Sequence, residues 1–403
     1  MATPSPLEGV SYQARYLRVL IYTHSFAPAI GGAESYVYNL AELLARTPDR
    51  RVAVTLATPT AGGAFEDTTL PYTVIRQSST LHLWRLIRAS DVVHLSGPCL
   101  APLLLALVQR KPVVVYHHGY QVCCPRGNLL YQPSGSWCPG QFMLRRYDLC
   151  IKCIAVTGGL RKGLQSTLLT LLRRFLCTRA VANLHTSDFT LNRLNIPHSH
   201  VIYHGVPCAD DAARPLRHAN DSPKTFVYVG RLVSEKGLPT LLRAGALLRD
   251  QNLSFQLRFI GDGPERAELA RIVDEQHLEG HVTFVGFLRG DALQREVEAA
   301  TALVMPSIWE ETAGLAAVEH MMRGQLVIAS DIGGLSELVG SAGLKFPAGD
   351  AVALAACMSR VITNPELAPT LGRAARERAL RLFKTEKMLT EHLAIFERAL
   401  ETV

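Results

Sequence analysis

Residues 225–248 read TFVYVGRLVSEKGLPTLLRAGALL, and this stretch indicates the fold class. An apolar, β-rich run at Phe226–Val229 is followed at once by a glycine, and a helical pattern then fills Leu238–Leu248. Strands that are apolar at nearly every position and alternate with helices are typical of a parallel sheet covered on both faces. The stretch therefore predicts one strand–helix unit of an α/β domain.

The same alternation continues on both sides of this unit. In the first half of the chain the predicted strands are Leu17–Tyr22, Val52–Leu56, Val92–Leu95, Val113–Tyr116 and Val181–Asn183. In the second half they are Phe226–Val229, Phe255–Ile260, Val282–Val285, Ala302–Met305 and Leu326–Ala329. The fold class is therefore predicted as α/β, with two Rossmann-like, doubly wound parallel-sheet domains that face a cleft.

The composition along the chain sets the domain boundaries. The segment 206–223 contains three prolines and has no apolar periodicity, so it is predicted to be a linker. The other predicted parts are a flexible N-terminus at 1–16, an N-terminal Rossmann-like domain at 17–205 with a cysteine-rich insertion at 123–153, a C-terminal Rossmann-like domain at 224–385, and an amphipathic helix at 386–403 that packs back on the N-terminal domain.

The overall composition excludes several classes of protein. Of 403 residues, 48% are hydrophobic and 19% are charged, which is ordinary for a globular protein and excludes a disordered or fibrous chain. The net charge of +7 favours anionic partners, but no aromatic–basic recognition motif accompanies it, so nucleic acid is not an expected partner. Because no secretory signal and no apolar run of roughly 18 to 20 residues is found, the predicted location is cytoplasmic.

Glycine turns follow several of the predicted strands. Gly31 and Gly32 directly precede a helical pattern, where free backbone amides can bind an anion; an ordinary strand-to-helix turn is the alternative. Gly261 and Gly263 form a similar turn after the strand Phe255–Ile260, and a common structural turn without a ligand is the alternative. The spacing is not the three-glycine dinucleotide fingerprint, so a nicotinamide-dependent dehydrogenase is not favoured.

Two cations follow the strand Phe226–Val229. Arg231 stands at the end of the strand, and Lys236 comes five residues later, before the next helix. Two positive charges at this edge of a sheet can neutralise a diphosphate. A solvated basic loop is the alternative.

The most specific cluster is Pro306–Gly314, with Glu319 in the helix that follows. The helix is predicted to begin near Thr312, so that backbone amides can cradle a phosphate at Thr312, Ala313, Gly314 and Leu315. Glu319 would lie about two turns into this helix, where its carboxylate can bind the vicinal hydroxyls of a ribose. Glu311 can accept hydrogen bonds from sugar hydroxyls, and chance surface charge is the alternative for both glutamates.

Taken in order, these motifs resemble the retaining GT-B glycosyltransferases of family four. Those proteins carry Gly-Gly before the first helix, Gly-Arg with a Lys five residues later, Gly-x-Gly-Pro, Pro-Ser, two Glu separated by seven residues, and Gly-Gly-x-x-Glu. This chain has all of them between Val19 and Glu337. The resemblance implies transfer of a sugar from a UDP- or GDP-type nucleotide diphosphate sugar to a hydroxyl of a glycan or lipid-linked acceptor. It also implies that 17–205 is the acceptor-side domain and that 224–385 is the nucleotide-sugar-binding domain.

The resemblance also implies which residues bind the donor. Arg231 and Lys236 would hold the diphosphate and steady the leaving group, and Gly32 would lie near the donor phosphates. The backbone near Phe287 and Leu288 would contact the base. In the same way Glu319 would hold the ribose and Glu311 the donor sugar.

The catalytic residues implied by the resemblance are His117, Glu311, Arg231 and Lys236. His117 matches the family's active-site histidine, whereas His118 stands where the family usually has Asp. No cofactor is required, because a departing phosphate oxygen would take the acceptor's proton on the same face and give retention. The alternatives are a nucleotide-sugar epimerase or sugar phosphorylase on the same fold, and a non-catalytic nucleotide-sugar-binding protein.

Two further segments suggest other partners. Four cysteines of the insertion could form a structural zinc site or iron–sulfur cluster, with free thiols as the alternative; they are Cys124, Cys138, Cys150 and Cys153. The segment Leu160–Ala180 contains five basic residues and no acidic one, and its apolar residues recur at helical spacing. It could lie on an anionic membrane at the inner face of the plasma membrane, with a core helix as the alternative.

Overall fold

The protein is described by a computed structural model that covers residues 16–29, 31–47, 52–63, 65–207 and 223–401. Two parallel sheets, each covered by helices on both faces, form the described chain. The predicted fold class is therefore confirmed. Residues 1–15 and most of the predicted linker lie outside the described residues.

The first sheet has seven strands in the order β3-β2-β1-β4-β5-β8-β9. Its strands are β1 (Leu17–Thr23), β2 (Val52–Thr58), β3 (Thr73–Arg76), β4 (Val92–Ser96), β5 (Val113–His117), β8 (Ala182–His185) and β9 (Ser199–Val201). A separate antiparallel hairpin, β6 (Leu130–Tyr131) and β7 (Ser136–Trp137), lies in the cysteine-rich insertion.

The helices of the first domain cover both faces of this sheet because side chains alternate along each strand. Val19 and Ile21 face the helix α1 (Gly32–Ala45), and Leu20 faces the other layer. That other layer consists of α2 (Thr80–Ala89), α3 (Leu100–Val108), α4 (Tyr147–Cys177) and the short α5 (Asp188–Leu194).

The second sheet has six strands in the order β12-β11-β10-β13-β14-β15. These are β10 (Lys224–Val229), β11 (Phe255–Ile260), β12 (Val282–Gly286), β13 (Ala302–Met305), β14 (Leu326–Ser330) and β15 (Leu344–Phe346). Its helices are α6 (Leu238–Asp250), α7 (Arg266–Glu275), α8 (Gly290–Glu298), α9 (Leu315–Met322), α10 (Gly333–Val339), α11 (Ala351–Thr363) and α12 (Leu367–Leu382).

The last helix, α13 (Thr385–Glu401), leaves the second domain and packs on the first. Met388, Leu393 and Phe396 are buried in the same apolar cluster as α1 and the strand β1. The Tyr36 hydroxyl of α1 lies 2.7 Å from His392 Nε2 of α13. Among the described residues, no helix combines the length and apolarity that crossing a bilayer requires.

The predicted strands agree with the structure to within a few residues, but three short edge strands were not predicted. These are β3, β9 and β15, each of only three or four residues. The helix α9 begins at Leu315 and not near Thr312, and residues 306–314 form an irregular loop with bends between β13 and α9.

Candidate functional site

A cleft of about 930 Å³ lies between the two domains. The first domain contributes Gly31, Gly32, Ala33, Glu34, His118, Asn128 and His204 to its lining. The second domain contributes the loops after β10, β11, β12 and β13 and the start of α9. The lining thus comes from the carboxyl ends of strands in both sheets, which is where ligands of open α/β sheets bind.

The loop after β10 contributes basic residues to the cleft. Arg231 and Lys236 both line the cleft, and Arg231 is exposed. Lys236 Nζ lies 2.9 Å from Glu311 Oε1 and 5.9 Å from the centre of the Trp309 ring. The Ser307 hydroxyl also donates to the Glu311 carboxylate. These contacts hold Lys236 at a fixed place beside the loop that precedes α9.

Two glycines bring these loops close together. Gly237 has φ +62, and a Cβ there would lie 2.2 Å from the Pro306 carbonyl oxygen. Gly261 has φ +137, and a Cβ there would lie 1.9 Å from the Gly230 carbonyl oxygen. Since only glycine fits such positions, the backbones after β10, β11 and β13 can meet at one edge of the sheet.

The start of α9 faces the same space. Thr312, Ala313, Leu315 and Ala316 line the cleft. The first amides of a helix have no partner within it and carry the positive end of the helix dipole. An anion bound in the cleft could therefore contact both these amides and the two cations, which all belong to the second domain. Gly261, Phe287 and Leu288, which the sequence also predicts, line the cleft as well.

Three predicted donor residues do not line the cleft. Gly263 lies beneath the loop after β10, because a Cβ there would be 2.3 Å from the Leu232 carbonyl oxygen. Gly314 is buried against Leu335. Glu319 is half-buried one helical turn beyond Leu315, on the same face of α9. Burial raises the pKa of its carboxyl, and Arg323 opposes that shift.

The predicted active-site histidine is not in the cleft. His117 is the last residue of β5 and is fully buried, with Nε2 2.9 Å from Asn183 Oδ1 and its ring stacked on His185. Burial lowers the pKa of His117 to about 4. Its neighbour His118 lines the cleft, with Nε2 2.8 Å from Ser96 Oγ. β5 is one residue longer than predicted and includes His117, whose side chain points into the interior. The side chain of the following residue, His118, therefore faces the cleft.

Sequence reasoning missed a second histidine of the cleft, His204. Both of its ring nitrogens lack a hydrogen-bond partner among the described residues, and burial lowers its pKa to about 4. Its ring lies 5.0 Å from Tyr36 and 5.6 Å from His118, measured between ring centres. It follows the short edge strand β9, whose three residues carry too little pattern to have indicated a strand end.

The neighbour of Glu311 binds across the two domains. The Glu310 carboxylate accepts a hydrogen bond of 2.8 Å from Trp137 Nε1 and forms an ion pair of 2.9 Å with Arg193 Nε. Its carbonyl oxygen accepts a hydrogen bond from the Tyr120 hydroxyl. Trp137 and Tyr120 belong to the first domain, so Glu310 joins the cysteine-rich insertion to the loop that carries Glu311.

Glu337 makes a second connection of this kind. Its carboxylate accepts hydrogen bonds from the backbone amides of Asp188 and Phe189, at 3.0 and 2.7 Å, and from the Tyr203 hydroxyl at 2.8 Å. The glutamate of the Gly-Gly-x-x-Glu segment thus caps the first turn of α5 in the other domain. This residue supports the walls of the cleft and is not among the residues that line it.

The predicted metal site of the insertion is not supported. Cys124, Cys138, Cys150 and Cys153 do converge on one small cavity of about 20 Å³. Among the described residues, however, no three His, Cys, Asp or Glu side chains are arranged to hold a metal ion. The cysteines pack as buried free thiols against apolar neighbours, and burial raises the pKa of the Cys150 thiol to about 12.

Comparison with known proteins agrees with this architecture. The family model for Glycosyltransferase Family 4 matches residues 30–210, and the model for Glycosyl transferases group 1 matches residues 211–378. The two matches adjoin and together take in both domains and the cleft between them. The chain belongs to the GT-B glycosyltransferases of family 4.

One curated relative resembles the chain over part of its length. The 2-deoxystreptamine glucosyltransferase of Streptomyces kanamyceticus is 37% identical over 177 residues, which are 43% of this chain and 45% of that protein. The chain spans about half the length of the curated relatives it matches.

Solved structures match the whole architecture. Sucrose-phosphate synthase from Thermosynechococcus elongatus has a TM-score of 0.70 at 23% identity, covering 96% of this chain and 100% of that one. The Anabaena protein HepE in complex with UDP-glucose has a TM-score of 0.69 at 20% identity, with the same coverage. At these identities the likeness establishes the fold alone.

Proposed function

We propose that the chain transfers a sugar from a UDP- or GDP-type nucleotide diphosphate sugar to a hydroxyl of a glycan or lipid-linked acceptor, with retention of the anomeric configuration. The observation that carries the proposal is the meeting of Arg231, Lys236 and the start of α9 in one cleft. Two cations and free helix amides are the groups that bind a diphosphate. The Anabaena relative, solved with UDP-glucose, supports a nucleotide sugar as the donor.

The donor would lie with its base against Phe287 and Leu288 and its diphosphate against α9. Glu319 does not line the cleft, but it lies one turn beyond Leu315 on the same face of α9, and we assign its carboxylate to the ribose. The ion pair with Glu311 fixes the position of Lys236. A diphosphate bound to Lys236 would therefore place the donor sugar next to Glu311. We therefore assign Glu311 to the hydroxyls of the donor sugar.

The reaction itself would be driven by stabilisation of the leaving group. As the bond between the anomeric carbon and the phosphate oxygen breaks, negative charge grows on the diphosphate beside Arg231, Lys236 and the helix amides. The acceptor oxygen forms the new bond on the same face, and its proton passes to the departing phosphate oxygen. No protein base and no metal ion is required for this step.

The acceptor would enter from the first domain. His118, Asn128 and His204 provide hydrogen-bonding groups there, opposite the donor residues. Burial lowers the pKa of both histidines, so they are neutral at pH 7 and can donate or accept hydrogen bonds to hydroxyls. These two residues replace His117 in the proposed site.

A ligand screen tests the donor. We expect one among UDP-, GDP- and ADP-glucose to raise the melting temperature by a few degrees at a concentration about 100 times its Kd, where binding stabilises by about 2.7 kcal/mol. Arg231→Ala should abolish the rise. Arg271→Ala, at an exposed residue of α7 paired with Glu268 and Glu275, is the matched control and should preserve it.

The same donor tests the reaction. Slow release of free sugar from the donor, and transfer to an added acceptor with the anomeric configuration kept, is the expected result. Both should persist with EDTA. Donor isomerisation or phosphate-dependent cleavage would favour an epimerase or a phosphorylase, and binding without turnover would favour a non-catalytic protein. An inverted product would overturn the retaining mechanism alone.

A further inference from the structure

The second part of the helix α4 exposes its large apolar side chains, apart from Leu169 and Leu176, which are partly buried and buried, respectively. A break at Gly159, with φ +76, separates its first part from the segment 160–177. In that segment Gly163, Thr167 and Thr170 are buried against the domain, and a Cβ at Gly163 would lie 2.6 Å from the Ile151 carbonyl oxygen. A surface helix of a globular protein ordinarily buries its large apolar residues and exposes its small and polar ones.

The exposed side of this segment is a continuous apolar stripe. Six large side chains recur at helical spacing and are 38% to 66% exposed: Leu160, Leu164, Leu168, Leu171, Leu172 and Phe175. The adjoining helices α2 and α3 add Leu81, Leu104 and Val108, which are 48% to 63% exposed. Nine of the sixteen exposed large apolar side chains of the described chain therefore lie on α2, α3 and the segment 160–177 of α4, which excludes a random scatter.

The charged Lys, Arg, Asp and Glu residues of α2, α3 and the second part of α4 are all basic. We define the basic–apolar face as residues 80–90, 100–111 and 159–180, which cover one side of the first sheet. It contains nine of the 42 Lys and Arg residues and none of the 35 Asp and Glu residues. The rest of the chain therefore has fewer basic than acidic residues, and the net positive charge of the protein comes from this face.

We propose that the basic–apolar face is a docking surface for a membrane that contains anionic lipids. Apolar side chains flanked by exposed cations such as Arg161, Lys162 and Arg179 fit the boundary between lipid headgroups and acyl chains. Each basic residue near an anionic bilayer contributes about 1 kcal/mol of attraction. A second copy fits the surface poorly, since a two-fold contact would bring two such faces of like charge together.

The face is separate from the cleft. None of its residues is among those that line the cleft. The Arg174 guanidinium donates to the carbonyl oxygens of Leu194 and Asn195, so α4 is tied to the end of α5, whose start is capped by Glu337. Docking through α4 would therefore hold the first domain, with the acceptor side of the cleft, at a fixed orientation to the bilayer.

Vesicle binding tests this proposal. The full chain is sedimented with vesicles of phosphatidylcholine alone or with phosphatidylglycerol added, without any sugar donor, so that failure leaves the proposed transfer untouched. We expect binding only to the anionic vesicles, weakened by salt. Leu164→Glu/Leu168→Glu and Arg161→Glu/Lys162→Glu should each weaken it by at least about tenfold.

Two matched variants control for charge and exposure. Val352→Glu changes an apolar side chain of α11 that is 69% exposed, and Arg271→Glu changes an exposed cation of α7; both should bind vesicles like the parent. Equal binding to neutral vesicles, or no binding to either kind, would overturn the proposal. So would sedimentation velocity that finds a dimer which Leu164→Glu/Leu168→Glu converts to a monomer, because a second copy would then cover the face.

Discussion

Glu310 and Glu311 are adjacent in the chain and lie in opposite surroundings. Both are about 5% exposed. Glu310 turns to Trp137 and Arg193 of the first domain, whereas Glu311 turns to Lys236 and the cleft. The Glu310 carboxylate therefore has a structural role, whereas the Glu311 carboxylate is the one assigned to the donor sugar.

We expect Glu310→Ala to act on stability. Removing its carboxylate leaves the partly buried Arg193 guanidinium without its ion pair, which should lower the free energy of unfolding by about 2–4 kcal/mol. Denaturant unfolding measures this change. Unchanged stability would mean that the contact between the insertion and the second domain contributes little.

We expect Glu311→Ala to act on turnover. Loss of one or two hydrogen bonds from a carboxylate to the sugar corresponds to about a tenfold to hundredfold loss of kcat/KM for donor hydrolysis. Because Lys236 is partly exposed and can be solvated, the fold should survive, as circular dichroism would verify. Full activity in this variant would remove Glu311 from the site.

At the scale of elements, α13 gives the first domain part of its core although it comes last in the chain. Phe396 is fully buried beside His94 of β4, and Met388 accepts from the Gly205 amide through its sulfur. The helix therefore passes over the junction between the domains and closes one face of the first sheet. The sequence indicates an amphipathic helix at 386–403 that packs back on the N-terminal domain, and the buried side chains of α13 lie in the core of that domain.

Substitutions on α13 test this packing. Phe396→Ala should lower the free energy of unfolding by about 3–5 kcal/mol, because it leaves a cavity in the first domain. Leu400→Ala, one turn later on the same helix at 43% exposure, is the control and should cost within about 0.5 kcal/mol. Differential scanning calorimetry with both variants decides; equal effects would contradict the assigned role of Phe396.

For the whole molecule, several buried histidines link stability to pH. Burial lowers the pKa of His117, His204, His320 and His392 to about 4, against an ordinary value of 6.5. The unfolded chain therefore binds more protons than the folded one between these values. The stability that the neutral histidines provide is complete above about pH 6.5 and is lost as the pH falls toward 4.

We expect the melting temperature to be flat above pH 7 and to fall steeply between pH 6.5 and 4. Each such histidine contributes up to about 1.4 kcal/mol per pH unit in that window. His392→Asn should make the fall shallower, and His82→Ala, at an exposed residue of α2, should not. A melting temperature that stays constant down to pH 4.5 would contradict the burial of these groups in their neutral form.

The sequence by itself determined the two sheets and the edge at which the site lies. Apolar runs such as Phe255–Ile260 and Ala302–Met305 are local patterns, and glycines such as Gly237 and Gly261 fix local turns, so both can be recognised along the chain. Short edge strands such as β9 carry too few residues for a pattern, so His204 was missed. The family motifs are also short stretches of consecutive residues, so the side of the cleft proposed to bind the donor could be predicted from the sequence.

Only the tertiary structure decided which neighbouring side chain faces the cleft and what holds the two domains together. Side chains alternate along a strand, so one residue more in β5 turned His117 into the interior and His118 toward the cleft. The contacts of Glu310 with Tyr120 and Trp137 join residues more than 170 positions apart. Such pairings depend on how complete sheets pack, and no local pattern in the chain contains that information.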